Sequence, residues 1–359
     1  MKAAICIGFG QDLVVEDVTL APPGPGEVRV KLRACAICHS DIFYIQGAWG
    51  GALPAVYGHE AAGIVAECGA DVRHVAPGDH VVVTLIRSCG LCHYCTQGKT
   101  VLCESEFPLD RQGPLARANG TGLNQGLRTG AFAEEVVVDG SQIVAVPTAL
   151  PFDVAALLAC GVITGVGAVV NDAAVKPGSS VVVIGTGGVG LNAVQGAQLV
   201  GAARIIAIDI APSKLAAARV FGATHAIDPR NEDAVTTVRA MTGGRGADYV
   251  FVTVGAKAAF EQGFNLLAKG GTLAVVGMPA TGVMAEFDPG SFAAYGQRMI
   301  GSKMGSARID IDIPRLVTLY GEDRIKLDEL ISGRFPLDGI NAAIAGVTRG
   351  EALRNVILF

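Results

Sequence analysis

Hydrophobic and polar residues alternate in short runs over about the first 150 residues. The segment EVRVKLRAC, Glu27 to Cys35, follows the turn-rich stretch APPGPG, and AAGIVAEC and DHVVVTL repeat the same alternation. An apolar–polar period of two between glycine and proline turns is typical of half-buried β-strands. We therefore predict a β-rich domain in this part of the chain.

The pattern changes between about Lys176 and Lys303. Apolar runs that predict strands (SSVVVIG, RIIAID, DYVFVTVG and GTLAVVG) alternate with segments that predict helices (VGLNAVQGAQLVG, SKLAAARVFG and AAFEQGFNLLAK). This alternation predicts an α/β domain with a doubly wound parallel sheet. The tail from Asp310 lacks the alternation, so we expect it to return to the first domain. The predicted domains are residues 1–161 with 305–359, and residues 162–304.

Composition narrows the class of protein. Half of the 359 residues are hydrophobic and 17% are charged, which suits two domains with buried parallel strands. The net charge is -5 and no run of lysine or arginine occurs, so we expect neither nucleic acid nor a membrane surface as a partner. The uncharged stretch from Val154 to Val170 is short for a bilayer and contains three glycines, so we predict a buried helix. No signal peptide is evident, and we expect a cytoplasmic protein.

One short stretch, CGLCHYCTQGKTVLC, contains four cysteines spaced C-x2-C-x2-C-x7-C: Cys89, Cys92, Cys95 and Cys103. Thiolates at this density are typical of a closed four-sulfur zinc site with a structural role. An iron–sulfur cluster is one alternative, although the bacterial run ends C-x3-C-P and here Glu104 follows the last cysteine. Disulfides are the other alternative, which a reducing compartment disfavours.

A second motif, GTGGVG, follows the apolar run VVVI and precedes a predicted helix. It comprises Gly185, Thr186, Gly187, Gly188, Val189 and Gly190. The G-x-G-x-x-G pattern in this setting predicts a dinucleotide site, in which the helix N-terminus faces the pyrophosphate. Asp209 ends the next strand, where a carboxylate binds the ribose hydroxyls and repels a 2′-phosphate. The sequence therefore favours NAD over NADP; a helix cap is the ordinary alternative for Asp209.

A third set of residues is dispersed. Cys38 and His39 lie in ACAICHSD, His59 and Glu60 in YGHEAAG, and Cys160 in LLACGVITG. Each has an ordinary explanation as a buried thiol or a hydrogen-bonded histidine. Taken together with the cysteine stretch, the glycine motif and the region of Arg354, they resemble the zinc-dependent medium-chain alcohol dehydrogenases over nearly the whole chain.

The resemblance implies a Rossmann coenzyme domain and a GroES-like catalytic domain with two zinc ions per chain. Cys38, His59 and Cys160 match the catalytic zinc ligands, and the four clustered cysteines match the structural ones. Glu60 matches a glutamate that approaches the metal, Asp41 the carboxylate that orients the histidine, and Ser40 the hydroxyl that receives the substrate's hydrogen bond.

Coenzyme contacts are implied in the same way. The residues that match them are Thr164, Gly185, Gly187, Gly188, Val189, Gly190, Asp209, Lys214, His39 and Arg354, the last two near the pyrophosphate. Many family members continue the proton relay through a histidine where this chain has Phe43, so the proton is expected to leave through water or His39.

The expected reaction is reversible hydride transfer between NAD and a primary alcohol, hydrophobic or aromatic, giving an aldehyde. The expected substrate pocket comprises Trp49, Leu85, Ile86 and Met304, for which core packing is the alternative.

A thiol-dependent formaldehyde dehydrogenase is the alternative function. Arg87, Arg111, Arg117 and Arg128 offer positive charge for the carboxylates of such an adduct, although solvated surface positions are the ordinary explanation for these arginines. A non-catalytic or zinc-free reductase-like protein is a further alternative. We expect a homo-oligomer, a dimer first and a tetramer second, with RMIGSKM near the subunit contact.

Overall fold

The computed structural model describes all 359 residues, and its first 160 are rich in short strands. Their elements are β1 (Lys2–Cys6), β2 (Val14–Leu20), β3 (Glu27–Ala36), α1 (His39–Ile45), β4 (Ala55–Val56), β5 (Glu60–Cys68), β6 (His80–Val83), α2 (Pro108–Arg111), β7 (Leu115–Arg117), β8 (Gly122–Gln125), β9 (Glu135–Asp139), β10 (Ile143–Ala145) and α3 (Phe152–Leu157).

Strands and helices then alternate, as the apolar runs predict. These elements are α4 (Ile163–Gly167), β11 (Ser180–Ile184), α5 (Gly188–Leu199), β12 (Arg204–Ile208), α6 (Pro212–Val220), β13 (His225–Ile227), α7 (Ala234–Met241), β14 (Ala247–Val252), α8 (Lys257–Leu266), β15 (Leu267–Val275), α9 (Pro289–Ala294) and β16 (Arg298–Gly301). The chain ends with α10 (Ile309–Gly321), β17 (Ile331–Pro336), α11 (Ile340–Thr348) and β18 (Arg354–Leu358).

The chain divides into two compact units. The first unit comprises Met1–Cys160 and Arg308–Phe359, and the second comprises Gly161–Ala307.

The first unit contains two β-structures. One is a closed barrel of β1, β2, β7, β8 and β4, and the other is a seven-stranded sheet in the order β10-β6-β5-β3-β18-β17, with β9 also paired to β3. In β3 the residues Val28, Val30 and Leu32 are buried and their neighbours are more exposed, as the alternating pattern predicts. The antiparallel pairing of β18 with β3 brings the C-terminal segment into this sheet.

The second unit is a Rossmann fold. Its six strands are all parallel and follow the order β13-β12-β11-β14-β15-β16. In this order the direction of winding reverses beside β11, and ligands of such sheets bind at the carboxyl end of the strands there. The prediction of a doubly wound sheet is confirmed.

The predicted buried helix spans Phe152–Asp172 and includes α3 and α4. By its length and composition this helix could cross a membrane. However, 89% of its most apolar 18-residue stretch is buried inside the protein. Within the second unit, α4 packs closely on α5, because a Cβ at Gly165 would overlap the backbone of Val189. Its packing is that of a core helix.

Candidate metal and coenzyme sites

Asp41 organises the start of α1 and the loop before β5. Its Oδ2 accepts a hydrogen bond from the backbone N–H of Cys38 at 3.0 Å, and its Oδ1 accepts from the N–H of Gly58 and from His59 Nδ1, both at 2.9 Å. The carboxylate is fully buried, so these three donors replace its water shell. Two candidate ligands are therefore positioned by one side chain.

The dispersed residues lie together in the first unit. One ligand atom from each of Cys38, His59, Glu60 and Cys160 lies within 4.8 Å of every other, and all four residues are buried. Cys160 reaches this cluster from a π-helical turn, Leu158–Val162, a local widening of the helix that is frequent at functional sites.

The second ring nitrogen of His59 is the clearest sign that the cluster accepts a metal. Nε2 is buried and has no hydrogen-bond partner, while Nδ1 is occupied by Asp41. A buried polar atom without a partner is costly, and a metal ion would satisfy it. A carboxylate that fixes the other nitrogen is the usual partner of a zinc-ligating histidine. The donor set of two sulfurs and one imidazole therefore fits zinc.

Glu60 is held by an arginine. Both of its carboxylate oxygens accept hydrogen bonds from Arg354 Nη2, and Arg354 Nη1 donates to the carbonyl of Ile37. Burial raises the pKa of Glu60 to about 8, although Arg354 acts in the opposite direction. With Glu60 paired in this way, the residues that remain for a metal are Cys38, His59 and Cys160, which leave a fourth position open.

The two thiols of the cluster differ in acidity. A hydrogen bond with Cys160 holds the pKa of Cys38 well below its usual value against the opposing effect of burial, with His59 acting in the same direction as the hydrogen bond. The same hydrogen bond and burial raise the pKa of Cys160. The hydrogen bond between the two thiols thus favours one thiolate within the buried cluster, and a thiolate is the form that binds a metal.

The clustered cysteines form a second site. We define the cysteine lobe as residues 88–111; it contains two short 3₁₀ turns, Cys95–Gln97 and Thr100–Leu102, and then α2. The four sulfurs lie within 4.8 Å of one another, with 3.9 Å between Cys92 and Cys103. Tetrahedral zinc with bonds of about 2.3 Å requires sulfur separations of about 3.8 Å. The lobe fits one zinc ion, whereas a four-iron cluster would place each sulfur on a different iron, farther apart.

Hydrogen bonds to sulfur stabilise thiolates in the lobe. Ser105 Oγ donates to Cys89 Sγ at 3.0 Å, and the N–H groups of Leu91 and Cys92 donate to it at 3.3 and 3.2 Å. These donors, the Ser105 hydroxyl first, lower the pKa of Cys89 to about 6. In contrast, burial raises the pKa of Cys95 to about 12. Ser105 lies outside every motif in the sequence, and its only sequence signal is its place two residues after Cys103.

The glycine motif forms the turn between β11 and α5. Gly185 has φ +88°, a left-handed conformation that favours glycine, and a Cβ at Gly190 would overlap the carbonyl oxygen of Gly185. A Cβ at Gly187 would meet no atom within 4 Å, so the space beside that backbone is open. Gly188 and Val189 begin α5, whose N-cap is Gly187, and no side chain caps this helix, which leaves its N-terminus available for an anion.

Asp209 directly follows β12 and is tied to the glycine turn. Its Oδ2 accepts from the Thr186 N–H at 2.7 Å and the Thr186 hydroxyl at 3.2 Å, and its Oδ1 accepts from the Ala211 N–H at 2.9 Å. The helix-cap alternative is wrong, because the N-cap of α6 is Ala211 and no side chain caps that helix. The carboxylate stays half-buried at the carboxyl end of the sheet, where a ribose would lie.

The other predicted coenzyme residues are distributed over both units. Lys214 lies in the first turn of α6, and Thr164 in α4 donates a hydrogen bond from its hydroxyl to Met304 Sδ at 3.7 Å. His39 is exposed at the start of α1, and Ser40 beside it is half-buried. Their contacts with coenzyme and substrate stay predictions.

The predicted pocket residues of the first unit differ in exposure. Ile86 is buried, Leu85 and Trp49 are half-buried, and Met304 belongs to the second unit. Trp49 makes edge-to-face contacts with Phe43 and Tyr44, with ring centroids 5.1 and 5.2 Å apart. Phe43, which stands where many relatives have a histidine, thus packs as an apolar ring.

The aromatic group around Trp49 is larger than the sequence indicated. Tyr57 stacks on Tyr44 with the centroids 5.6 Å apart, and burial raises the pKa of Tyr57 to about 12. Neither tyrosine could be predicted as part of this group, because neither lies in a recognisable motif. Their signal is proximity along the chain to Trp49 and to His59.

Three of the four arginines near the lobe are engaged with acidic side chains. Arg111 pairs with Glu106 on the surface, and Arg117 pairs with Glu16. Arg87 is only 2% exposed, so the expectation of a solvated surface position is wrong for it: Asp110 and neutral acceptors draw the guanidinium into the interior.

Fold and sites together define a class, a zinc-binding oxidoreductase built on a Rossmann domain. Family models match both parts of the chain: "Alcohol dehydrogenase GroES-like domain" at residues 24–148 and "Zinc-binding dehydrogenase" at residues 188–320. The chain belongs to the zinc-dependent medium-chain dehydrogenase family, as its motifs predicted.

Relatives with known names agree with this assignment. The chain is 38% identical to "Probable S-(hydroxymethyl)glutathione dehydrogenase 1" of Schizosaccharomyces pombe, over 99% of this chain and 96% of the relative. It is 35% identical to an "NDMA-dependent alcohol dehydrogenase" of Amycolatopsis methanolica, over 99% and 98% of the two chains. The crystal structure of benzyl alcohol dehydrogenase from Acinetobacter calcoaceticus superposes with a TM-score of 0.93 at 32% identity, covering 100% of this chain and 99% of that one.

Proposed function

We propose that the protein oxidises hydrophobic or aromatic primary alcohols to aldehydes with NAD, reversibly, with zinc held by Cys38, His59 and Cys160. The observation that carries this proposal is the unpartnered, buried Nε2 of His59 beside two thiols, with its other nitrogen fixed by Asp41. A second zinc held by the four cysteines of the lobe has a structural role in this proposal.

The residues of the first unit have distinct tasks. A zinc ion held by Cys38, His59 and Cys160 would supply a Lewis acid for the substrate's hydroxyl oxygen, and bound NAD would supply the hydride acceptor. Asp41 keeps the proton of His59 on Nδ1, so that Nε2 is free to bind metal. Ser40 Oγ accepts the hydroxyl proton of the alcohol while it gives up its own hydroxyl proton. Phe43 offers no group to pass this proton on, so it leaves Ser40 to water or to the exposed His39.

Coenzyme choice rests on Asp209. Its carboxylate is half-buried at the end of β12 and would meet the 2′-phosphate of NADP with like charge. Thr186 and Ala211 donate to it but neither is charged, so the negative charge is not neutralised by them. This supports NAD as the coenzyme.

The substrate class rests on the aromatic group in the first unit. Trp49, Phe43 and Tyr44 form edge-to-face contacts and offer apolar ring surface, as pockets for apolar ligands do. The structural neighbour named benzyl alcohol dehydrogenase also supports an aromatic alcohol as the substrate.

A thiol adduct of formaldehyde is the second candidate, because two relatives are named S-(hydroxymethyl)glutathione dehydrogenases. Such an adduct carries carboxylates that need cationic partners. Arg87, Arg111 and Arg117 are already paired with acids, which weighs against this candidate.

Formation of NADH by the purified enzyme tests the two candidates. The substrates are ethanol, octanol, geraniol, benzyl alcohol, and formaldehyde with and without glutathione. We expect kcat/KM to rise with the apolar size of the alcohol and to be indifferent to the thiol. Activity with formaldehyde plus glutathione alone would replace the first candidate by the second. No activity in a preparation that contains zinc and binds NAD would refute both.

We further propose that the chain forms a homo-oligomer, a dimer first, through the outer edge of β16. This strand ends the sheet of the second unit, and an unpaired edge is a template for another strand. Exposed apolar side chains line one cavity that includes a residue of β16: Val283 (41% exposed), Phe287 (43%) and, in the strand itself, Met299 (50%). A second copy of this strand would cover them symmetrically.

A further inference from the structure

Arg87 is a fully buried cation that the catalytic scheme does not use. Its residue exposure is 2%, and it is among the largest side chains in the interior of the first unit. Arginine is almost never buried to this extent unless its charge and its donors are matched. The residue lies two positions before Cys89, between the end of β6 and the cysteine lobe.

All three nitrogens of the guanidinium have partners. Nη1 donates to Asp110 Oδ1 at 2.9 Å, Nε to Gln142 Oε1 at 2.8 Å, and Nη2 to the carbonyl of Arg128 at 3.1 Å. The planar group also lies over the ring of Phe107, 5.2 Å from its centroid. This planar fork has a geometry that a lysine ammonium cannot reproduce.

These partners belong to two different parts of the first unit. Asp110 and Phe107 lie at the end of the lobe, and Phe107 packs against Cys95 and Cys103 in one hydrophobic cluster. Gln142 lies outside the lobe, just before β10, and is fully buried. Arg87 therefore contacts the wall of the thiolate site on one side and the sheet on the other.

The sheet side is itself rigid. Gln142 Nε2 donates to the carbonyl of Thr84 at 2.8 Å and to that of Arg128 at 3.1 Å. The Ser88 N–H, at the start of the lobe, donates to Ser141 Oγ at 3.0 Å. Arg87 thus joins a network whose buried members leave no freedom to move without losing several hydrogen bonds.

We propose that Arg87 is a positioning residue that fastens the cysteine lobe to the sheet and thereby retains the metal of the lobe. This inference rests on the proposed structural zinc at the four cysteines. It assigns the retention of that zinc to a side chain that binds no metal. Without the guanidinium, Phe107 and Asp110 lose their link to the sheet, and the wall against Cys95 and Cys103 becomes mobile.

The lobe supplies a matched control for this proposal. Arg111 pairs with Glu106 at 2.9 Å, the same distance as Arg87 to Asp110, but their side chains are 73% and 58% exposed. An exposed pair of this kind contributes little. Arg87→Met removes the buried cation, Arg87→Lys keeps the charge without the fork, and Arg111→Met removes a cation of the same lobe from the surface.

The experiment follows zinc release from the purified full-length enzyme into a colorimetric chelator. The wild type is expected to release two equivalents per chain, and Cys103→Ser identifies which phase belongs to the lobe. We expect Arg87→Met to release the lobe equivalent roughly tenfold faster or more, the size of effect that groups supporting metal ligands have. The zinc ion outside the lobe should leave at the wild-type rate. For the lobe zinc, Arg87→Lys should have an intermediate release rate, and Arg111→Met should have the wild-type rate.

Several outcomes decide the proposal. Release from Arg87→Met at the wild-type rate would overturn it, as would equal acceleration of both equivalents, which indicates general destabilisation. If Arg87→Met does not fold, as judged by circular dichroism, Asp110→Asn decides in its place, because that carboxylate is 30% exposed; faster lobe release supports the proposal and an unchanged rate overturns it. A wild-type enzyme with no zinc in the lobe would instead refute the proposed structural site.

Discussion

Asp41 contacts two residues of the proposed catalytic cluster, Cys38 and His59. Its two oxygens bind the backbone at Cys38 and Gly58 and the ring of His59, so one buried carboxylate sets the positions of two ligands and the tautomer of one. Capping α1 is the local reason for its place, since its Oδ2 accepts the N–H of Cys38, the residue before the helix.

Asp41→Asn tests this role. The amide keeps the shape but brings a donor group to the site and lacks the negative charge that favours a proton on Nδ1. We expect zinc affinity at the catalytic cluster, or kcat/KM, to fall by about 10- to 100-fold. Asp233→Asn is the control, because Asp233 caps α7 on the surface of the second unit. Wild-type zinc content and kcat/KM in Asp41→Asn would contradict this role.

Asp209→Asn tests the basis of coenzyme choice. The amide oxygen can still accept from the Thr186 N–H, whereas the amide nitrogen in place of the other oxygen cannot accept from the Ala211 N–H, and the negative charge that faces a 2′-phosphate is removed. Removal of roughly 1.4 kcal/mol of charge repulsion changes the ratio of kcat/KM for NAD to that for NADP by about tenfold. Steady-state kinetics with both coenzymes measures it. An unchanged ratio, with both coenzymes still used, would mean that another group discriminates between them.

At the scale of elements, the turn between β11 and α5 combines two different requirements for glycine. Gly190 allows close packing, since its Cβ would overlap the Gly185 carbonyl oxygen, while Gly187 borders open space. One glycine therefore serves the fold, and the other serves the ligand.

Gly190→Ala and Gly187→Ala should consequently differ. We expect Gly190→Ala to lower the free energy of unfolding by about 1–3 kcal/mol, because the added methyl must displace backbone. Gly187→Ala should leave unfolding unchanged but weaken NAD binding, because its methyl occupies the space for the pyrophosphate. Thermal unfolding without coenzyme and titration with NAD distinguish the two. Equal unfolding temperatures for both variants would refute the assignment.

Patterns within short windows explain which elements could be predicted from the sequence. The run VVVI, the motif GTGGVG and the residues after it predict a strand, a turn and a helix from neighbouring residues alone. The spacing of the four cysteines is likewise contained in one short stretch. Arg87 could not be placed, because its burial depends on Asp110 and Gln142, which lie 23 and 55 residues further along the chain. The π-helical turn at Cys160 likewise has no sequence signature beyond an apolar helix.

At the scale of the whole molecule, the second unit offers an edge strand and apolar surface for assembly. A cavity of about 220 Å³ lies among Phe260, Phe264, Phe287 and Met299. Met299 also belongs to β16, so an oligomer formed through this strand would enclose apolar surface that the single chain exposes.

Met299→Lys tests the oligomer. A charge at the proposed contact must be desolvated on association, so we expect the sedimentation coefficient to fall from that of a dimer or tetramer to that of a monomer. Val220→Lys, which replaces a side chain that is 56% exposed on α6, should sediment like the wild type. A monomeric wild type, or a Met299→Lys variant that still associates fully, would contradict the proposed interface.

For the whole molecule we infer two metal sites with separate tasks: three ligands around an open position for chemistry, and four thiolates that hold a lobe in place. The most direct test measures zinc per chain together with NADH formation from benzyl alcohol, in the wild type and in Cys160→Ser. We predict two zinc ions and activity in the wild type, and one zinc ion without activity in the variant. Two zinc ions and undiminished activity in Cys160→Ser would mean that Cys160 is not a ligand of a catalytic zinc.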